Sequence, residues 1–96
     1  MVGKVKVRFL GIFKKAYGSG EVSLEAADGE RLTDLLGKAV GASSELRNVL
    51  IDRELSDPRP NAVILVNGRE IGLLKGLETD IRDGDEIVLI PVTHGG

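Results

Sequence analysis

Residues 87–96 read Ile87-Val88-Leu89-Ile90-Pro91-Val92-Thr93-His94-Gly95-Gly96. The first four are apolar, so this segment has no polar face and is expected to form a strand in the middle of a sheet. Pro91 lacks a backbone N–H, and regular pairing is therefore expected to stop there. Residues 92–96 are predicted to project beyond the last pairing residue as a flexible tail.

The diglycine at the end of the sequence has two interpretations. Most termini are disordered and carry no function. Alternatively, the α-carboxylate of Gly96 is the reacting group, because residues without a Cβ can pass through a narrow channel into a partner enzyme. A carboxylate reacts with a thiol, sulfide or amine only after one oxygen has become a leaving group. The expected chemistry is therefore adenylation, and the fold that precedes the tail must support it.

Length and composition restrict the function. With 96 residues, 42% of them hydrophobic, the chain is expected to form one domain with a single modest core. The net charge is -2 and the thirteen basic residues are spread among fifteen acidic ones, so no nucleic-acid or anionic-membrane partner is expected. The absence of cysteine excludes disulfides, thiolate metal sites and thiol nucleophiles, and fits a cytoplasmic protein.

The first part of the chain shows the alternation of strands. Residues 4–10 place Val5, Val7 and Phe9 on one face and basic side chains on the other. Residues 12–17 are expected to form a long loop ending in a glycine-rich turn at 18–20. A second strand at 21–26 would complete a β-hairpin.

The period then changes to that of a helix. Leucines and small apolar residues recur at positions 32, 35, 36, 39 and 40, and Gly41 stands where a C-terminal cap would be. A second, shorter helix is expected from Ser43 or Ser44, with Leu46 and Leu50 facing inward.

Strands are expected again after the connector at 52–61. Residues 62–66 form an apolar strand followed by Asn67-Gly68, a frequent two-residue hairpin turn. The acidic segment 83–86 is expected to form a tight turn before the last strand. It is not expected to hold calcium or another metal, because it lacks ligands at alternating positions.

The order of strands and helices predicts the fold class. If the last strand lies parallel to the first, the helix after the second strand crosses over and covers one face of the sheet. This is an α+β, β-grasp or ubiquitin-like fold, with a mixed sheet of four to five strands and one main helix packed on one face. The domain is predicted to span residues 1–91, with the tail at 92–96.

Several motifs then give the chain a family resemblance. They are Val-Lys-Val-Arg-Phe at 5–9, Leu-x-x-Leu-Leu at 32–36, Ile-Leu-Val-Asn-Gly-Arg-Glu-Ile at 64–71, Asp-Gly-Asp-Glu-Ile at 83–87 and the final Gly-Gly. The chain resembles the ubiquitin-like sulfur carriers and modifiers: MoaD, the small subunit of molybdopterin synthase; ThiS, the thiazole sulfur carrier; the ubiquitin-related modifier; and the small archaeal modifier proteins. The spacing is most similar to archaeal MoaD-like proteins, whereas ThiS is shorter.

The resemblance implies how the end of the tail would be used. A separate E1-like adenylating enzyme, of the MoaB, ThiF or MoeB type, would activate Gly96 with ATP and magnesium. Thr93, His94 and Gly95 would form the tail that delivers it. His94 departs from the Thr-Gly-Gly or Ala-Gly-Gly common in MoaD and is similar to the His-Gly-Gly ending of the ubiquitin-related modifier. The alternative for His94 is an exposed residue without a catalytic part.

The implied protein is a carrier and not an enzyme, since the sequence contains neither a phosphate-binding Gly-x-x-x-x-Gly-Lys loop nor a nucleophile and base pair. No cofactor is expected to bind to it. The activated end would become a thiocarboxylate for molybdopterin synthesis or tRNA thiolation, or an isopeptide on lysines of target proteins. The alternatives are a dedicated MoaD-type subunit bound to the large subunit of molybdopterin synthase, and a non-covalent interaction module.

Strand alternation also predicts a docking surface. If Val5, Val7 and Phe9 face the helix, an apolar patch is left on the opposite face of the sheet. Its predicted members are Leu10, Val63, Leu65, Val88 and Ile90. The patch is expected to bind the activating enzyme and the downstream partner. Two alternatives are that Leu46 and Leu50 of the second helix fold over it, and that it forms a homodimer contact.

Overall fold

The fold is described from a computed structural model that covers residues 2–92. Its strands are β1 (Gly3–Phe9), β2 (Glu21–Ala26), β3 (Ala62–Val66), β4 (Arg69–Glu70) and β5 (Glu86–Pro91). Its helices are α1 (Gly11–Tyr17), α2 (Leu32–Gly41) and α3 (Ser44–Leu50), and two short 3-10 turns follow β4, at Ile71–Leu73 and Gly76–Glu78.

The strands form one mixed sheet in the order β2-β1-β5-β3-β4. The last strand, β5, lies in the middle, parallel to β1 and antiparallel to β3, as its apolar sequence predicts. The register aligns Val7 with Ile87 and Phe9 with Leu89. The expected pairing of the first strand with the last is therefore confirmed.

The core lies between one face of the sheet and the helices. Val5, Val7 and Phe9 are buried, as predicted, together with the alternate residues of β3 and β5. Leu46 and Leu50 of α3 are fully buried in the same cluster. The alternative in which this helix folds over the other face of the sheet is therefore wrong.

The connection between β1 and β2 differs from the sequence prediction. Residues 11–17 form the helix α1 and not a loop, although β1 and β2 are antiparallel neighbours as expected. Phe13 and Tyr17, one turn apart, face the core: Phe13 is buried and the Tyr17 ring stacks on Phe9 at 4.3 Å between centroids. The helix has seven residues and no side-chain N-cap, so its sequence lacks the usual start signal.

The two predicted helices are confirmed with one small correction. Gly41 is the last residue of α2, and the C-cap is Ala42 in a right-handed conformation. The Ser43 hydroxyl accepts a hydrogen bond from the Leu46 N–H at 3.1 Å, so it caps α3 as expected.

The interior of α2 contains a glycine whose removal should stabilise the protein. A Cβ on Gly37 would meet no atom within 4 Å, and alanine lowers the entropy of the unfolded chain. We expect Gly37→Ala to raise the free energy of unfolding by about 0.5–1 kcal/mol, measured by urea denaturation. Gly29 is the matched control, since it also faces open space but has φ +78°. Gly29→Ala should destabilise by about 1 kcal/mol or more, and stabilisation by both would contradict this explanation.

Candidate functional site

The last strand fixes the point at which the tail leaves the domain. The Val92 N–H donates to the Asn61 carbonyl at 3.0 Å, and the Asn67 N–H donates to the Glu86 carbonyl at 2.8 Å. The even-numbered residues of β5 therefore form their backbone hydrogen bonds with β3, and the odd-numbered residues direct their backbone groups to the β1 side. Pro91 is odd-numbered, so its lack of an N–H affects only the β1 side, where β1 has already ended. The parallel ladder ends with β1 at the pair of Phe9 with Leu89, whereas the antiparallel ladder continues past Pro91 to the Val92 N–H. The expected end of pairing at Pro91 is therefore wrong on the β3 side, because the proline faces away from β3.

The start of α1 packs against this point. Gly11 has φ +53°, and a Cβ there would lie 3.0 Å from the Pro91 Cγ. The Leu10 N–H donates to the Leu89 carbonyl at 3.2 Å. Glycine is thus favoured at position 11 by both its conformation and its close approach to the proline ring.

Thr93, His94, Gly95 and Gly96 lie outside the described residues, so their roles and the boundary at residue 92 stay predictions. What the structure does place is the residue before them, Val92, which is 37% exposed and held by its backbone hydrogen bond.

The predicted docking surface, here called the outer apolar patch, consists of Leu10, Val63, Leu65, Val88 and Ile90. Cross-strand pairing brings its members together: Val63 lies directly opposite Ile90, and Leu65 opposite Val88. Leu10 and Val63 are 37% and 40% exposed, and the other three are half-buried. The five residues lie on the face of the sheet away from the helices, as alternation predicts. Their role in partner binding stays a prediction.

Two further exposed apolar residues lie near Pro91. Ile12 is 53% exposed and follows Gly11, which touches the proline, while Val92 follows Pro91 along the chain. Ile12 was missed because residues 12–17 were expected to form a loop. The helical spacing of Phe13 and Tyr17 is the signal that would have placed Ile12 on the outside.

The other half of the outer face is charged. The basic side chains of β1 point outward and lie opposite Glu25, Ser23 and Glu21 of β2. Lys6 is 3.9 Å from Glu21 and Arg8 is 4.0 Å from Glu86, and all four side chains are well exposed. Such pairs contribute little to stability. Their consequence is a face divided into a charged half and an apolar half next to the tail.

A groove of about 240 Å³ lies beside Val92 and is lined by Arg59, Val63 and Ile71, among others. Arg59 donates through Nε to both carboxylate oxygens of Asp57, at 3.0 Å each. These hydrogen bonds lower the pKa of Asp57, whereas burial opposes them. A larger cavity, of about 530 Å³, lies elsewhere, between α2 and the segment that follows α3.

The Asp57 carboxylate should make the free energy of unfolding depend on pH. Because the pKa of Asp57 is lower in the folded chain than its ordinary value of 3.8, its contribution is complete above that value and is lost as the pH falls through the folded pKa. We expect Asp57→Asn to lose less unfolding free energy than the wild type between neutral pH and about pH 2.5. Urea denaturation at both pH values measures this, and equal losses would contradict it.

The carboxylates of the acidic turn accept one hydrogen bond within the turn and two from distant segments. Asp83 accepts from the Lys4 N–H at 2.8 Å, and Asp85 accepts from the Arg82 N–H and the Asn67 side-chain amide. Among residues 2–92 no group of three His, Cys, Asp or Glu side chains is placed to hold a metal ion. Within the same range no helix has the length and apolarity needed to span a membrane.

Comparison with known proteins places the chain in a family. A sequence model described as the ThiS family matches residues 7–96. A protein of Archaeoglobus fulgidus, named as a candidate sulfur carrier protein, is 38% identical over 80 residues, which is 82% of this chain and 85% of the relative. The small archaeal modifier protein 3 of Haloferax volcanii is 28% identical over 93 residues, 97% of this chain and 99% of the relative.

A solved structure agrees with these relatives. The solution structure of small archaeal modifier protein 1 from Methanosarcina acetivorans superposes with a TM-score of 0.84 at 31% identity, covering 100% of this chain and 99% of that one. The fold is therefore the ubiquitin-like β-grasp fold of the sulfur carriers and small modifiers. The chain belongs to the ThiS family, whose sulfur carrier proteins are carriers and not enzymes. The resemblance stated from the sequence motifs is thereby confirmed.

Proposed function

We propose that this chain is a ubiquitin-like sulfur carrier and modifier whose Gly96 carboxylate is activated by a separate E1-like adenylating enzyme. The observation that carries the proposal is the position of Val92, after which the tail continues. Val92 follows the central strand, which pairs with β1 as far as Leu89 and with β3 as far as Pro91, and it lies next to the outer apolar patch. An activating enzyme that binds this patch would receive the tail in a fixed direction.

The length of the tail fits such a delivery. Four residues follow Val92, and a fully extended segment of that length reaches about 14 Å. The side chains of Gly95 and Gly96 are hydrogen atoms, so the last part of the segment requires only the width of a backbone. This reach would separate the docking surface from the reacting carboxylate and let both be engaged at once.

The activation step would use ATP and magnesium bound by the partner enzyme. A Gly96 carboxylate oxygen attacks the α-phosphorus of ATP, pyrophosphate leaves, and an acyl adenylate is formed. A sulfide sulfur then attacks the carbonyl carbon and AMP leaves, which gives the thiocarboxylate. If a persulfide sulfur attacks instead, AMP leaves and an acyl disulfide forms, and a thiol reductant cleaves its sulfur–sulfur bond, which releases the thiocarboxylate and leaves the thiol as a disulfide. A lysine amine that attacks the activated carbonyl instead gives an isopeptide bond.

The acceptor separates two versions of this function. As a sulfur donor the chain would bind an acceptor enzyme such as the large subunit of molybdopterin synthase or a tRNA thiolation enzyme. As a modifier it would be attached to lysines of target proteins. The names of its relatives include both a sulfur carrier and small archaeal modifiers, and they support the proposal at that coarser level.

Removal of Gly95 and Gly96 should abolish both versions. We expect the full-length protein isolated from its native cells to show the mass increase of one oxygen replaced by sulfur, or Gly-Gly remnants on lysines of other proteins. The truncated chain should show neither. Its unfolding free energy should equal that of the full chain, because residues 2–92 contain the core. Full complementation of a deletion strain by the truncated chain would favour the non-covalent module.

Docking through the outer apolar patch gives a second test. Ile90→Asp places a carboxylate among Val63 and its neighbours, so we expect adenylate formation with the activating enzyme to fall roughly 10- to 100-fold, corresponding to the burial of one large aliphatic side chain. ATP–pyrophosphate exchange measures the effect.

Ser23→Asp is the matched control, because it adds the same side chain to the charged half of the same face. It should leave the exchange rate unchanged. A global unfolding of Ile90→Asp, seen by circular dichroism, would place Ile90 in the core instead, and equal exchange rates for both variants would remove the patch from the docking surface.

A further inference from the structure

The strand β2 is an outer strand of the sheet, and its free edge is the longer of the two. It spans Glu21–Ala26, whereas the opposite edge strand, β4, has only the two residues Arg69–Glu70. A free edge carries unpaired N–H and C=O groups that can bond to another extended chain. The hydrogen bonds that occupy these edge groups therefore determine whether another strand can be added to β2.

The backbone hydrogen bonds identify the groups on this edge. The Phe9 N–H donates to the Gly20 carbonyl at 2.9 Å, so even-numbered residues of this strand bond to β1. The odd-numbered residues Glu21, Ser23 and Glu25, and then Ala27, direct their backbone groups to the free side. These are the groups that an added strand would use.

The first cap on this edge is a hydroxyl. The Ser19 Oγ donates to the Glu21 carbonyl at 2.9 Å and receives the Glu21 N–H at 3.4 Å. One side-chain atom thus takes the place of both the donor and the acceptor that a neighbouring strand would supply at this position.

The second cap is an ion pair at the other end of the edge. The Lys38 ammonium, from α2, donates to the Glu25 carbonyl at 2.7 Å and to Glu30 Oε1 at 2.9 Å. The same Glu30 oxygen accepts the Ala27 N–H at 3.2 Å. The ammonium and the carboxylate together occupy the Glu25 carbonyl and the Ala27 N–H, which a residue of a parallel neighbour would otherwise bridge.

The two caps leave the centre of the edge open. Among residues 2–92, neither the N–H nor the C=O of Ser23 has a hydrogen-bond partner on the free side of the strand. The accessibility of the caps differs: the Lys38 side chain is 44% exposed, whereas the Glu30 side chain is 10% exposed. Substitutions that open the edge are therefore made at Ser19 and Lys38.

We propose that the β2 edge is a strand-addition site held closed by Ser19 and by the Lys38 and Glu30 pair. Its occupant is an extended segment of a partner protein in which basic residues alternate with apolar ones. Charge complementarity gives this chemistry, because Glu21 and Glu25 point to the outer face and Val22 and Leu24 to the helix side. The chain already shows such a match on the other side of β2, where the Lys-Val-Lys-Val-Arg sequence of β1 is paired.

A second copy of the chain fits this edge less well. Antiparallel pairing of two β2 strands about Ser23 would place Glu21 of each copy opposite Glu25 of the other on the outer face. Like charges that lie directly opposite destabilise a strand pair. The occupant is therefore a basic segment of a different protein, and this proposal does not depend on the proposed activation of Gly96.

Opening the caps should expose the site. We expect the variant Ser19→Ala/Lys38→Met to bind the peptide acetyl-Lys-Val-Lys-Val-Arg-Phe-amide about tenfold more tightly than the wild type, because the hydrogen bonds of Ser19 to Glu21 and of Lys38 to the Glu25 carbonyl no longer compete. Amide chemical shifts in a ¹H–¹⁵N titration of the full chain measure this. The changes should fall at residues 19–27, and the Ser23 amide should become protected from hydrogen exchange.

Matched controls distinguish the removal of the caps from the loss of a positive charge alone. Methionine at position 38 keeps the length of the aliphatic chain and removes only the charge. The control Lys75→Met removes another exposed ammonium, which lies 4.0 Å from Asp80. This variant should bind the peptide with the affinity of the wild type. A peptide with glutamate at the three basic positions should not bind either protein. Lys38→Arg, which keeps the donors, should behave as the wild type and shows that the fold tolerates substitution at this position.

Three results would overturn the proposal. They are equal peptide affinity of the capped and uncapped chains, shift changes at β3 and β5 in place of β2, and concentration-dependent dimerisation of the uncapped variant without peptide. The last result would assign the edge to a second copy of the chain. Thermal unfolding of each variant confirms that the comparison is made between folded proteins.

Discussion

The parallel pairing of β1 with β5 is the constraint on which the rest of the structure depends. It joins strands from opposite ends of the sequence, and the Lys4 N–H bond to Asp83 spans 79 residues. This pairing places β5 in the middle of the sheet, and its residues 87–90 are apolar on both faces. One set completes the core with the helices, and the other set forms the outer apolar patch. The exit of the tail beside that patch follows from the same pairing.

Most of this arrangement could be predicted from local sequence patterns. The unbroken apolar run at residues 87–90 predicts the central position of the last strand, and the alternation around Val5, Val7 and Phe9 predicts which face meets the helices. The change to helical spacing after residue 29 places α2, and Asn67-Gly68 forms the expected turn, with φ +51° and +82°. Each of these signals lies within a few residues and needs no knowledge of distant contacts.

What could not be predicted depends on contacts between distant segments. The helix α1 is short and has no capping side chain, and it is stabilised by the burial of Phe13 and by the stacking of Tyr17 on Phe9. Only the assembled core shows these contacts. For the same reason Ile12 was not assigned to the surface near the tail. The caps of the β2 edge were equally hidden, because the contact of Lys38 with Glu25 joins a helix to a strand.

The separation of β1 and β5 along the chain also has a consequence for synthesis. While a ribosome is still producing the connector at 52–61, β1 and β2 can pair, but β1 lacks its other neighbour and β3 does not yet exist. The pairing that closes the sheet requires distant segments to meet, and such contacts form late in folding. The nascent chain should therefore remain without a closed core until Ile87 and Leu89 have emerged from the exit tunnel. Translational pausing upstream of Glu86 would prolong the lifetime of an intermediate with exposed core residues, which is prone to aggregation.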